Sequence, residues 1–128
     1  MWLIDDDELD LRFAELAYRA TGLDQPFRAF STPEQLFAAL DRVEEGVEPM
    51  PGLILIDIRM PGIDGFAVLE KLRARQSFAD RPPVAFFTTS EFPEDQRRAK
   101  ELGCGYYVKP PSVEASTALF RQLAKAEP

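Results

Sequence analysis

Short, unbroken apolar runs alternate along this chain with longer segments in which apolar residues recur every three or four positions. Residues 53–56 (LILI) and 84–87 (VAFF) are such runs, and they are typical of strands that are covered on both faces. The segments between the runs follow helical spacing. Strands that alternate with helices predict a parallel sheet with right-handed crossovers and helices on both faces. We therefore expect an α/β fold, a doubly wound five-stranded parallel sheet with five helices.

The individual elements can be assigned in order along the chain. Strands are expected at residues 2–4, 27–30, 53–56, 84–87 and 105–108. The first helix is indicated by apolar residues at helical spacing, namely Leu9, Phe13, Leu16, Ala17 and Ala20. Thr32, Asp64 and Ser112 are typical N-caps for the second, third and fifth helices, and the fourth helix is expected at 93–102.

The composition excludes several kinds of chemistry. The 128 residues include no His and a single Cys, so the sequence offers no His-based catalysis, no His metal ligand and no internal disulfide. Lys and Arg number 15 against 22 Asp and Glu, and this net charge of −7 argues against a surface for nucleic-acid phosphates. No apolar run is long enough for a signal sequence or a membrane span. We expect one cytoplasmic domain over residues 1–128, without an output domain.

Charged and hydroxyl side chains follow the ends of four predicted strands. Asp5 and Asp6 follow the first strand, Asp57 the third, Thr88 the fourth and Lys109 the fifth. Ligands of such sheets bind outside the carboxyl ends of the strands, so these side chains are expected to converge. Three carboxylates at close range repel one another and need a cation, and their hard oxygen ligands suit Mg²⁺. An aspartate beside Mg²⁺ and a lysine is a candidate nucleophile for phosphoryl transfer.

Four elements of the sequence, taken together, resemble a known family. They are Asp5-Asp6, the segment Asp57-Ile58-Arg59-Met60-Pro61-Gly62-Ile63-Asp64-Gly65, Thr88, and Tyr106-Tyr107-Val108-Lys109-Pro110. They are similar to the signature of the response-regulator receiver domain of two-component signalling, of the CheY-like, stand-alone type. The resemblance covers essentially the whole chain and implies a flavodoxin-like strand order of 2-1-3-4-5. It implies a signalling switch rather than a turnover enzyme, one that catalyses its own phosphotransfer and slow autodephosphorylation.

The resemblance also implies a role for each residue of the site. Asp57 is similar to the phosphoacceptor. Asp6 resembles a direct Mg²⁺ ligand and Asp5 a ligand that acts through water, and Asp57 and the backbone carbonyl of Arg59 would complete the metal site. Lys109 resembles the lysine that pairs first with the phosphoacceptor and then with the phosphoryl group.

Signal output is implied in the same way. Thr88 and Tyr106 resemble the switch residues that reshape the face formed by the fourth helix, fifth strand and fifth helix. A cis peptide bond before Pro110 is expected from the same pattern. The phosphoryl donor would be a phosphohistidine on a histidine kinase or phosphotransfer protein, and the output a downstream protein or a second copy of the chain. The acidic segment 5–10 and the long loop 44–52 resemble those of single-domain receivers paired with phytochrome-type kinases.

Two other functions stay open at this point. One is a Mg²⁺-dependent phosphohydrolase with an aspartate nucleophile, although such enzymes usually carry Asp-x-Asp, whereas Asp57 is followed by Ile58 and Arg59. The other is a receiver-shaped interaction module that does not use phosphate, although the complete set of acids and Lys109 argue against it. The Arg59 guanidinium either shields a phosphoryl group or pairs with a nearby acid.

Overall fold

The computed structural model describes residues 1–126 and contains the alternation that the sequence predicts. The strands are β1 (Trp2–Ile4), β2 (Arg28–Phe30), β3 (Ile54–Ile56), β4 (Val84–Thr88) and β5 (Gly105–Val108). The helices are α1 (Glu8–Ala20), α2 (Pro33–Glu44), α3 (Gly65–Arg73), α4 (Pro93–Glu101) and α5 (Val113–Ala126), with a short 3₁₀ turn at Gln76–Phe78. The predicted caps Thr32, Asp64 and Ser112 each accept a hydrogen bond from a backbone N–H of their helix.

The strands form one parallel sheet of order β2-β1-β3-β4-β5, as expected. The central strand β3 pairs with β1 on one side and with β4 on the other, in register Ile56 to Ile4 and Ile56 to Phe86. All five strands run in the same direction, so their carboxyl ends lie along the same edge of the sheet. This arrangement places the residues after β1, β3, β4 and β5 beside one another.

Two apolar layers cover the two faces of the sheet. One layer includes Phe66 and Phe86, whose ring centroids lie 4.7 Å apart, and the partly buried Tyr106 packs against it. The other includes Phe87 and Phe120, with Tyr107 packed against it. The side chains of neighbouring residues in a strand therefore pack into opposite layers, because successive side chains of a strand point to opposite faces of the sheet.

At the amino end of the sheet, opposite the strand-end acids, Trp2 closes the first layer. Its side chain is 3% exposed, and its ring packs edge-on against Phe30 at 5.2 Å. The Arg28 guanidinium lies over the same indole ring, 5.9 Å from its centroid, and forms an ion pair with Glu48. Among residues 1–126, no helix is both long and apolar enough to cross a bilayer.

Helix α1 buries a different face from the one that its most apolar residues indicate. Leu11, Ala14, Ala17 and Tyr18 are buried against the sheet and α5. Leu9, Phe13 and Leu16 also recur at helical spacing, but they are 70%, 53% and 58% exposed. Two stripes of the helix satisfy the same spacing rule, and the stripe that contains Ala14 and Ala17 is the buried one.

Candidate functional site

Three carboxylates meet at the carboxyl ends of β1 and β3. Asp5 and Asp57 are buried and Asp6 is exposed, and one carboxylate oxygen of each lies within 4.8 Å of the others. The sheet fixes the backbone of this cluster, because the Asp57 N–H donates to the Ile4 carbonyl and the Asp5 N–H to the Phe30 carbonyl. The convergence expected of these three acids is therefore present in the structure.

The ammonium of Lys109 lies between the buried acids and α1. Its Nζ donates to Asp5 at 2.5 Å and to Asp10 at 2.7 Å, and it lies 3.4 Å from Asp57 Oδ2. Burial lowers the pKa of Lys109, but the hydrogen bonds to Asp10 and Asp5 outweigh this effect, so the pKa is raised overall. Lys109 is therefore a fixed positive charge that is shared among three carboxylates.

The surroundings of Asp5 oppose the negative charge of its carboxyl group. Burial raises its pKa from 3.8 to about 6, although the Lys109 ammonium and the N–H of Asp7 both lower it. The negative charge of Asp57 contributes a smaller further rise. An added cation would remove this opposition, because it would stabilise the ionised form of the buried carboxyl.

Asp57 presents one oxygen that the described residues leave without a partner. Its Oδ1 is buried and accepts no hydrogen bond within residues 1–126, whereas Oδ2 faces Lys109. A buried carboxylate oxygen without a donor costs free energy that a bound cation or donor would recover. Together with Asp5 and Asp6, it forms the kind of hard oxygen set that suits Mg²⁺. The residues present therefore fit the metal that the sequence predicts.

Thr88 and Tyr106, the two predicted switch residues, are connected through Ser90. Thr88 is fully buried at the end of β4, and its hydroxyl oxygen accepts a hydrogen bond from the Ser90 N–H at 3.2 Å. The Tyr106 hydroxyl donates to the Ser90 carbonyl at 2.5 Å. The loop after β4 therefore touches both residues through its own backbone.

Arg59, in the loop after Asp57, pairs with an acid on α4. Its Nη2 lies 2.6 Å from Asp95 Oδ2, and its guanidinium also lies over the Phe92 ring at 5.6 Å. The same Asp95 oxygen accepts a hydrogen bond from the Ser90 hydroxyl at 2.7 Å. Of the two roles weighed for the Arg59 side chain, the structure contains the ion pair. The role of its backbone carbonyl as a metal ligand stays a prediction.

Gly65, the first residue of α3, packs directly against the backbone of Asp57. Its N–H donates to the Ile58 carbonyl at 2.9 Å. A Cβ atom at this position would lie 2.4 Å from the Asp57 carbonyl oxygen, closer than real Cβ atoms come to non-bonded atoms of other residues. Only glycine allows α3 to approach the end of β3 this closely.

The sequence did not predict one acid of this site, Asp10, or a second acid outside it, Asp95, and the cis peptide bond was expected at the wrong proline. Asp10 is a partner of Lys109, and a signal for it existed, because Asp7 caps α1 and so places Asp10 in the first turn beside the strand ends. Asp95 gave no comparable signal. The expected cis bond before Pro110 was wrong, because the cis bond within residues 1–126 is Arg81–Pro82.

Comparison with known proteins supports the family resemblance that the sequence motifs indicate. Residues 1–119 match the model of the response regulator receiver domain. A probable transcriptional regulator, ycf29 of Porphyra purpurea, is 40% identical over 72 residues, which are 56% of this chain and 34% of that protein. The two-component response regulator ARR6 of Arabidopsis thaliana is 25% identical over 97% of this chain and 68% of its own length. The chain spans 24% to 68% of the length of such curated relatives.

Solved structures share the fold over nearly the whole chain. A two-component response regulator from Cytophaga hutchinsonii superposes with a TM-score of 0.79 at 25% identity, over 97% of this chain and 95% of its own. The bacteriophytochrome response regulator RtBRR superposes with a TM-score of 0.74 at 27% identity, over 95% and 75%. The family match over residues 1–119 includes every strand-end residue described above.

Proposed function

Because the chain belongs to the response-regulator receiver domain family, we propose that it is a phosphorylation-dependent signalling switch with Asp57 as its phosphoacceptor. One observation carries the proposal. The buried Asp57 carboxylate lies within 4.8 Å of an oxygen of each of two further acids and 3.4 Å from the Lys109 ammonium. This is the arrangement that phosphoryl transfer to a carboxylate needs, since its catalysis consists mainly of positioning and charge neutralisation.

The proposed reaction transfers a phosphoryl group from a phosphohistidine to Asp57. An oxygen of the ionised Asp57 carboxylate attacks phosphorus, the P–O bond forms and the P–N bond breaks, and the imidazole nitrogen leaves with the electron pair and takes a proton. Lys109 contributes a positive charge at the transferred group, and Thr88 contributes a hydroxyl donor. Residues 1–128 contain no His, so the donor is a kinase or a phosphotransfer protein. The acyl phosphate is then lost slowly by hydrolysis, which restores the carboxylate.

A Mg²⁺ ion is part of this proposal. Asp5, Asp6, Asp57 and the backbone carbonyl of Arg59 would hold it, and its charge would offset those of the carboxylates and of the phosphoryl oxygens. The unpartnered Asp57 oxygen and the raised pKa of Asp5 support a cation here. Asp10 then has a separate part, since it shares Lys109 with the buried acids while the phosphoryl group is absent.

Output from the site is proposed to pass through the surface formed by α4, β5 and α5. Tyr106 belongs to β5 and Thr88 to the adjacent strand β4, and both contact the same residue, Ser90. Movement of the Thr88 hydroxyl toward a phosphoryl group would alter the loop that holds the Tyr106 hydroxyl. A downstream protein or a second copy of the chain would read this change.

Intact-mass spectrometry with acetyl phosphate tests the proposal. We expect a Mg²⁺-dependent gain of one phosphoryl group that Asp57→Asn abolishes. Asp64→Asn is the matched control, because it changes a nearby acid that caps α3 and asparagine caps equally well. Continuous release of phosphate from esters would instead favour a phosphohydrolase, and the absence of any mass gain would favour a passive interaction module.

The identity of the donor is open to a direct screen. RtBRR, one of the solved structures above, is a bacteriophytochrome response regulator by name. We therefore propose phytochrome-type histidine kinases as the first donors to test, with radiolabelled kinase and wild-type or Asp57→Asn acceptor. Transfer to the wild type alone would support the pairing.

A further inference from the structure

Ser90 links the two proposed switch residues to an acid that does not belong to the phosphoacceptor site. Its N–H donates to Thr88, its carbonyl accepts from Tyr106 and its hydroxyl donates to Asp95. Asp95 is 7% exposed, and α4 fixes its position. The orientation of Ser90, and through it the contacts of both switch residues, therefore depends on Asp95.

Asp95 is paired in turn with a cation that the phosphoacceptor loop supplies. The Arg59 guanidinium shares the Asp95 oxygen that Ser90 uses, and Arg59 is two residues beyond Asp57. The Arg59 side chain is 55% exposed, so little packing restrains it from turning. A phosphoryl group carries a charge of about −1.5 to −2 and offers a guanidinium a better partner than a carboxylate does.

We propose that Arg59 and Asp95 are positioning residues that oppose the active state, and that a phosphoryl group on Asp57 competes with Asp95 for Arg59. In the unmodified protein, Asp95 holds Arg59 away from the site and holds Ser90 against Thr88 and Tyr106. When Arg59 turns to the phosphoryl group, Asp95 loses its counter-ion, and the loop after β4 can rearrange with Thr88. This inference rests on the proposed function, because it requires phosphorylation of Asp57.

Beryllofluoride, a phosphoryl mimic, provides the test when it is titrated with Mg²⁺ into the full chain and followed by amide NMR. Asp95→Asn keeps an acceptor for Ser90 but loses the charge that holds Arg59. For this variant we expect the half-saturating concentration of beryllofluoride to fall by roughly two- to fivefold, which corresponds to the free energy of a partly exposed ion pair. Amides of residues 88–92 should also shift toward their beryllofluoride-bound positions before any mimic is added.

The role of Arg59 is tested by the double variant. Arg59→Gln alone should weaken beryllofluoride binding, and Asp95→Asn should give no tightening in the Arg59→Gln background. A merely structural Asp95 would give the same factor in both backgrounds, and this result would overturn the proposed competition. Equal affinities of wild type and Asp95→Asn would overturn it as well.

A neighbouring acid supplies the matched control. Glu94 is also in the first turn of α4, but it pairs with the exposed Arg97 and has no hydrogen bond to Ser90 among residues 1–126. Glu94→Gln should bind beryllofluoride like the wild type, and tightening equal to that of Asp95→Asn would assign the effect to helix charge and refute the inference. If the wild type itself does not bind beryllofluoride, the proposed function fails together with this inference. If it binds and the variants do not differ, this inference alone fails.

Discussion

Gly65→Ala tests whether the close contact between α3 and the backbone of Asp57 supports the site. The added Cβ would meet the Asp57 carbonyl oxygen at 2.4 Å and the Ile56 side chain at 3.0 Å. Real Cβ atoms essentially never come within 3.0 Å of a non-bonded atom elsewhere in the chain, so the helix or the Asp57 backbone must move by about 0.6 Å. Overpacking of this kind costs about 1–3 kcal/mol, and a backbone obstacle favours the upper part of that range.

The helix itself offsets part of this cost. Alanine is favoured over glycine within a helix by up to about 1 kcal/mol, so we expect a net loss of about 2 kcal/mol in the free energy of unfolding. Urea denaturation measures this loss. Because Asp57 itself is displaced, the half-saturating concentration of beryllofluoride should rise at least tenfold, by about 1.4 kcal/mol or more.

Gly22→Ala separates the effect on stability from the effect on the site. Gly22 has a φ of +73° and no other atom within 4 Å of a built Cβ, so alanine there costs about 1 kcal/mol of backbone strain without any collision. It lies beyond the end of α1, away from Asp57, and should leave beryllofluoride binding unchanged. A Gly65→Ala protein that is as stable as the wild type and binds the mimic equally well would refute the argument from packing.

Two further predictions concern the charges of the site. Lys109→Met leaves the buried carboxylates of Asp5 and Asp57 without the ammonium that pairs with them. We expect a loss of about 3 kcal/mol in the free energy of unfolding near pH 8, which Mg²⁺ should partly restore. Unchanged midpoints of urea denaturation would contradict this prediction. The pKa of Asp5 is raised to about 6. In metal-free protein, the native state therefore keeps the carboxyl proton of Asp5 up to a higher pH than the unfolded state does. Asp5 should therefore reduce stability progressively as pH rises from about 4 to about 6, by at most about 3 kcal/mol. The difference in unfolding free energy between wild type and Asp5→Asn measures this contribution, and a difference independent of pH would refute it.

The sheet and the strand-end residues could be predicted from the sequence because both depend on local patterns. The continuous apolar runs fix which segments are buried strands, and the parallel direction of those strands then brings Asp5, Asp57 and Lys109 to one edge. The positions of Thr32, Asp64 and Ser112 as caps follow in the same way from short-range hydrogen bonding.

Other features depend on tertiary distances that no local pattern contains. Leu9, Phe13 and Leu16 satisfy the helical spacing rule as well as the residues that are buried, and only the packing of α1 against α5 decides between the two faces. The pairing of Arg59 with Asp95 joins residues 36 positions apart on different elements. The isomer of the bond before Pro110 is likewise decided by the surrounding structure and not by the preceding lysine.

The placement of Trp2 determines what fluorescence can report about this molecule. It is the single tryptophan of the chain, and it lies buried at the start of β1 with its ring against Phe30. At about 3.3 Å per residue, its backbone is about 10 Å from that of Asp5 at the other end of the strand. Its emission should follow global unfolding and stay unchanged when a metal ion or a phosphoryl mimic binds. Trp2 emission thus reports loss of the fold independently of ligand binding at the site, within a single sample.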